Sequence, residues 1–193
     1  MQVSQNGLEI ISHMIDRLGS DFRPYLTTVL PVIVDRLGDS KEVVRERANI
    51  ALCKLMDSTI QPHPLFEKMM GAFTHKNGKV REEILLLLQN TLNAHTAASL
   101  TVSKFIPAIV TLISDPQSSV RDTAMATLVE IYRHVGEKVR MDLQRRGTLP
   151  PNKASLLMAK FDEVRATGGM MPTAALTSEP SAGLDDIDQE SVL

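Results

Sequence analysis

The strongest constraint on this chain is an internal repeat. Shifting residues 30–55 by 76 positions places Pro31 on Pro107, Leu37 on Ile113, Asp39 on Asp115 and Val44-Arg45 on Val120-Arg121. The same shift places Ala48 on Ala124, Leu52 on Leu128 and Leu55 on Ile131. A third copy lies between them, with Val80-Arg81 36 residues after Val44-Arg45 and 40 before Val120-Arg121. A unit of this length cannot bury its apolar face alone, so copies must stack, and the period lies at or just below the HEAT and armadillo range.

The residues inside each copy have helical spacing. Phe22, Tyr25, Leu26, Val29, Leu30, Ile33, Val34 and Leu37 mark a first helix over 22–37, with Pro31 inside it. Pro107 falls at the matching place, which predicts a shared bend. Gly38-Asp39-Ser40 then breaks the helix, and Asp39 or Ser40 is expected to cap a second one over 41–57. Further helices are expected over 63–74, 79–93, 101–114, 118–135, 137–146 and 152–166. The run Ile84-Leu85-Leu86-Leu87-Leu88 is apolar all round and suits a helix held between neighbours. At the start, Leu8, Ile11, Ile15 and Leu18 define a helix of the second-in-pair type with no leading partner. We therefore expect a repeat array incomplete at its N-terminus, whose first helix exposes apolar surface.

Composition agrees with an all-α chain. Leu, Ala and Met are abundant, only 4% of residues are aromatic, and there is no Trp. Net charge is -2, which gives no nucleic-acid footprint. The charge is uneven: from Ala166 onward come Glu179, Asp185, Asp186, Asp188 and Glu190 with no Lys or Arg, so the body before them is basic. We read 1–166 as folded repeats and 167–193 as a disordered acidic tail. The single cysteine, Cys53, falls on an expected buried face and reads as a core thiol. No apolar run reaches membrane-span length.

Nothing in the motifs points to catalysis or a cofactor. His13, His63, His75, His95 and His134 form no HExxH or Cys/His cluster, and His134 with Glu130 alone does not make a metal site. The expected function is protein binding. The turns within the pairs should emerge on one edge of the stack. They offer Lys41 and Val43, then His75, Lys76, Asn77 and Lys79 before Arg81, then Gln117, Ser118 and Ser119. Such a short cationic ridge suits an acidic protein surface. The pairs Asp39/Arg45 and Asp115/Arg121, each six residues apart, are expected to brace neighbouring repeats in a ladder.

The segments LPVIVDRLGDSKEVVRE, FTHKNGKVRE, LISDPQSSVRD and TLVEIYRHVGEKVR, followed by KFDEV, resemble the first TOG domain of the CLASP (Orbit/MAST) family. The resemblance spans about residues 7–166 and includes the loops. It implies a HEAT-repeat α-solenoid of the TOG paddle type, incomplete at the N-terminus, in a microtubule-associated protein that binds tubulin or the microtubule lattice. It implies stabilisation of microtubules in the spindle and at kinetochores, and a place in the cytoplasm and cytoskeleton. Other plus-end or kinetochore proteins are implied as partners. The tubulin-facing loops would be Lys41, Val43 and Arg45; Lys76, Asn77, Lys79 and Arg81; and Gln117, Ser118, Ser119 and Arg121. The chain departs from the pattern in lacking the first repeat, the leading helix of the second and the first-loop Trp of tubulin-binding TOG domains. Weak tubulin binding by the chain alone is therefore expected. The alternative is a generic HEAT adaptor docking a peptide on its concave face.

Overall fold

The computed structural model describes residues 2–95, 99–147 and 149–171, with side chains from residue 5 onward. No strand occurs among them. The helices are α1 (Gln2–Leu18), α2 (Leu26–Arg36), α3 (Glu42–Ser58), α4 (Pro62–Lys68), α5 (Gly78–His95), α6 (Ile106–Leu112), α7 (Ser118–Val135), α8 (Glu137–Arg146) and α9 (Pro151–Ala166). Helices α2/α3, α4/α5, α6/α7 and α8/α9 are the repeat pairs. The most extensive helix packing runs along the second members, α1 on α3 and α5 on α7.

The second member of each pair agrees with the sequence reading to within a residue or two, and the first member α8 matches its expected 137–146, whereas the first members α2, α4 and α6 are shorter than expected. The expected helix over 22–37 divides into a 3-10 segment, Gly19–Tyr25, and α2. The expected 63–74 divides into α4 and a 3-10 segment, Met70–Thr74. The expected 101–114 divides into a 3-10 turn, Val102–Lys104, and α6. The shared proline bend is not observed. Pro31 lies inside α2, but Pro107 lies in the first turn of α6, where its missing N–H removes no helical bond.

A continuous core of Leu, Ile, Val, Ala and Phe runs from Leu8 to Phe161. The repeat-equivalent residues Val44, Val80 and Val120, with Ala48, Ile84 and Ala124, are at most 2% exposed. Within the apolar run of α5, Ile84, Leu85, Leu87 and Leu88 are buried, while Leu86 reaches the surface. Cys53 is half-buried, and desolvation pushes its thiol pKa up, as expected of a packed thiol. The last pair is fastened by Tyr132 of α7 stacking on Phe161 of α9, with ring centroids 4.1 Å apart. The Arg140 guanidinium lies 5.4 Å from the Tyr132 centroid and binds the Asp162 carboxylate at 2.6 Å. Such an aromatic pair contributes about 1 kcal/mol beyond its buried area.

The two ends of the stack differ. In α1, Leu8 and Ile15 are buried, but Ile10, Met14 and Leu18 are 59%, 42% and 37% exposed. Shifted by 37 residues, Met14 and Leu18 fall on Ala51 and Leu55 of α3, which are fully buried. Two positions that are enclosed in α3 are thus open to the surface in α1, and the first helix exposes apolar surface as expected. At the other end the chain continues past α9. Gly168, with φ of 69°, turns it back, and Met171 N–H donates to the Arg133 carbonyl at 2.9 Å. Residues 167–171, which the sequence assigns to the tail, therefore pack against α7; the rest of the expected disordered tail, 172–193, lies outside the described residues.

Candidate functional site

Three connectors, 37–41, 75–77 and 113–117, each join the two members of a pair. All three use one local design. In each turn a backbone N–H donates to the side chain two residues before it. Lys41 N–H donates to Asp39 Oδ1 at 3.0 Å, Asn77 N–H to His75 Nδ1 at 3.1 Å, and Gln117 N–H to Asp115 Oδ1 at 2.9 Å. An arginine six residues beyond that acceptor then closes the turn. Arg45 donates to the Asp39 and Ser40 carbonyls (3.0 and 3.3 Å). Arg81 donates to those of His75 and Lys76 (2.6 and 3.4 Å), and Arg121 to those of Asp115 and Pro116 (2.8 and 2.9 Å). A charged donor on carbonyls left unpaired at a helix end is a strong bond, so each turn is rigid.

This corrects the expected Asp/Arg ladder. The Asp39 carboxylate does not meet Arg45; it accepts from Lys41 N–H and lies 3.5 Å from Arg36. Nor does Asp39 or Ser40 occupy the N-cap of α3, which is Lys41. The six-residue spacing records a guanidinium on backbone oxygens within one turn. A true cross-repeat bridge exists one step along: Arg81 holds Asp115 through two of its three guanidinium nitrogens, Nε to Oδ2 at 2.7 Å and Nη2 to Oδ1 at 2.9 Å. Their side chains are 12% and 4% exposed. Hydrogen bonding to Arg81 holds the Asp115 carboxyl below the usual carboxylate range, against the opposing effect of burial.

The connectors are stacked edge to edge. Asn77 Nδ2 donates to the Gly38 carbonyl of the preceding turn at 3.0 Å, while Asn77 Oδ1 accepts from Lys79 N–H at 2.9 Å and starts α5. A Cβ on Gly38 would collide with the Asn77 amide and stand 2.7 Å from Val80 Cγ2. A Cβ on Gly78 would collide in the same way with the Gln117 side chain of the third turn. Two glycines therefore permit the close approach that places all three turns on one ridge.

The predicted site residues divide into two groups on this ridge. Lys41, Val43, Lys76, Asn77, Gln117, Ser118 and Ser119 are exposed. Arg45, Arg81 and Arg121 are half-buried and bind turn carbonyls, so they shape the ridge from below. Lys79 is intermediate: it leans on Glu82 at 3.0 Å and Glu83 at 3.7 Å, and Ser119 Oγ donates to that same Glu82 at 3.3 Å. The sequence reading missed Glu82 and Glu83. Glu83 also accepts from Asn49 at 3.0 Å and lies 3.5 Å from Arg45, so it joins the first pair to the second. The signal was available, because two adjacent acids follow Arg81 where the ridge was read only for its lysines.

Among the described residues no group of three or more His, Cys, Asp or Glu is placed to hold a metal ion. His134 is buried, 3.2 Å from Asn93 and 3.4 Å from Glu130, and burial lowers its pKa. No described helix is long and apolar enough to cross a membrane.

Stacked helix pairs with their short turns aligned on one rigid edge define a HEAT-type repeat module of the TOG class. The solved chain described as the MAST/Orbit N-terminal domain superposes with a TM-score of 0.82 at 44% identity, covering 85% of this chain and 73% of that one. A solved TOG domain of C. elegans Zyg9 shares the fold, with a TM-score of 0.69 at 18% identity over 83% of this chain and 59% of that one. The chain belongs to the CLASP N terminal family, whose model matches residues 2–156. It is 43% identical over 190 residues to the CLIP-associating protein of Drosophila melanogaster (97% of this chain, 13% of that protein). It is 46% identical over 174 residues to CLIP-associating protein 1-A of Xenopus laevis (90% and 12%). The chain thus spans about an eighth of the length of these relatives.

Proposed function

We propose that the three-turn ridge is a tubulin-binding edge and that the chain acts on microtubules as a weak binding module. The observation that carries this reading is the alignment of Lys41, Lys76 and Lys79 on a single rigid rim, with Val43 as an exposed apolar contact 45% accessible. Positive groups fixed at one edge are suited to an acidic protein partner and speed its encounter. Family membership supports the choice of partner. One solved structure sharing this fold is described as bearing on TOG–tubulin binding specificity, microtubule dynamics and mitotic spindle formation. A role in stabilising microtubules in the spindle and at kinetochores, within the cytoplasm, follows from the same reading.

Binding by the chain alone is weak on this proposal, because the ridge is short and no Trp is available as an anchor. The test is microtubule co-sedimentation of the chain and of Lys76→Glu/Lys79→Glu, with helicity monitored in both. Charge reversal should lower the bound fraction at least about tenfold at low salt, while raised salt lowers the unaltered chain toward the same level. Unchanged binding by the double variant would remove the ridge from the proposal. Tight co-elution with free tubulin would refute the weak-binding part.

A further inference from the structure

We infer that the groove between α7 and α9 is the docking site of the chain's own acidic segment around Asp185-Asp186-Ile187-Asp188. The groove has a volume of about 620 Å³ and an apolar floor that includes Met125, Val129 and Val164. Its α9 wall presents Lys153, Leu156 and Lys160, which at spacings of three and four lie on one helix face. Leu156 is 49% exposed. The ammonium groups of Lys153 and Lys160 have no hydrogen-bond or ion-pair partner among the described residues. An exposed leucine flanked by two unpaired cations is complementary to an isoleucine flanked by carboxylates, and residues 185–188 carry that pattern.

The path of the chain delivers this segment to the groove. After α9 the backbone folds back onto the groove's own wall. Arg133 Nε donates to the Gly169 carbonyl at 2.8 Å, and Met171 N–H donates to the Arg133 carbonyl at 2.9 Å. Arg133, Val164 and Thr167 line the groove, so Met171 stands at its mouth. From there the wall back to Lys153 is about 21 Å long at 1.5 Å per helical residue. The chain from Met171 to Ile187 extends up to about 53 Å, more than twice what is needed. Tethering makes the encounter intramolecular, with an effective concentration on the order of millimolar, so weak charge and apolar contacts suffice. The groove's own acids set the register. Glu130 is bound to Arg133 at 3.0 Å, while Asp122 and Glu163 repel an acidic segment and leave the Lys153–Lys160 stretch as its place.

The test is hydrogen–deuterium exchange of the full chain, following peptides that cover 184–190. Three forms are compared: the unaltered chain, Lys153→Glu/Lys160→Glu, and Asp185→Asn/Asp186→Asn/Asp188→Asn, which leaves the groove untouched. The expected result is slowing of these peptides at least about threefold below the unstructured rate in the unaltered chain. Both variants should lose that slowing, as should the unaltered chain at high salt, with the amides of α5 and α7 unchanged. Exchange of 184–190 at the unstructured rate in the unaltered chain would overturn the inference. So would slowing that survives the charge changes. Slowing that scales with protein concentration would assign the groove to the tail of a second copy and equally refute the intramolecular site.

Discussion

The two junctions of the ridge are built from the same parts, yet they are joined with different strength. Between the second and third turns, Arg81 grips Asp115 by two short hydrogen bonds in a nearly buried setting. Between the first and second turns, Arg45 has the same place in its own turn but finds no carboxylate in the next one. Positions 39, 75 and 115 are equivalent, since each accepts the N–H two residues on and offers its carbonyl to the arginine six residues on. The middle position holds His75. Its Nδ1 reproduces the acceptor role, which leaves Nε2 to carry the proton toward the Asp35 carboxylate 3.2 Å away. Arg45 instead lies 3.5 Å from Glu83. One side chain therefore decides whether a junction is clamped or merely stacked. The clamped junction coincides with one of the most extensive helix contacts, α5 on α7.

Removing the clamp should have the largest effect. Arg81→Ala deletes the bidentate pair, frees two turn carbonyls and strands the Asp115 carboxylate in a nearly buried place. A loss of about 3 kcal/mol in chemical denaturation is expected. Arg45→Ala, which gives up its own turn bonds and a longer contact to Glu83, should cost about 1 kcal/mol. Equal losses would show that the two junctions are energetically alike despite their geometry.

Acid titration separates the junctions by a second route. The Asp115 pKa is lower in the folded chain than in the unfolded one, so its contribution is complete above the ordinary carboxylate pKa of about 3.9. It is lost as pH falls through the lower folded value. Stability of the unaltered chain should therefore fall more steeply below about pH 4 than that of Asp115→Asn. Arg45→Ala, which leaves Asp115 and its clamp in place, should retain the steep fall. Parallel curves for the unaltered chain and Asp115→Asn would mean that the bridge is not sensed in solution.

Much of this was legible in the sequence, and what was not has definite physical causes. The 76-residue shift and the Val-Arg pair located the second helices and the three turns, because buried valines and turn-closing arginines recur wherever the unit recurs. The first helices of three pairs are longer in the sequence pattern than in the fold. Apolar spacing over 22–37 and 101–114 continues through 3-10 turns, whose side chains pack on the same core, so hydrophobicity alone gives no end point. The ridge lysines were found as charges in turns. The partners of Arg45 and Arg121 are not legible in the pairs Asp39/Arg45 and Asp115/Arg121, because spacing between two charged residues does not reveal whether a guanidinium meets the carboxylate or the carbonyl of its partner. The weaker junction was nevertheless written in the chain. A shift of 36 sets His75 on Asp39, and a shift of 40 sets it beneath Asp115.

The smallest expected effect is also the sharpest test of that single-residue explanation. His75→Asp restores the acceptor for Asn77 N–H and supplies a carboxylate where Arg45 can reach it, as Asp115 is reached by Arg81. It also gives up the contact to Asp35, which is 62% exposed in its side chain and contributes little. A net gain of about 0.5–1 kcal/mol is expected in the denaturation midpoint. The more telling quantity is the coupling measured by adding Arg45→Ala. In the original background no hydrogen bond joins Arg45 to position 75: Arg45 donates to the Asp39 and Ser40 carbonyls, and the His75 carbonyl accepts from Arg81. With the carboxylate present, removing Arg45 should cost about 1 kcal/mol more than before. A coupling near zero would mean that the clamp at 81/115 depends on the more extensive packing of α5 on α7 as well as on the aspartate. The difference between the junctions would then lie in the helices beneath the ridge and not in His75.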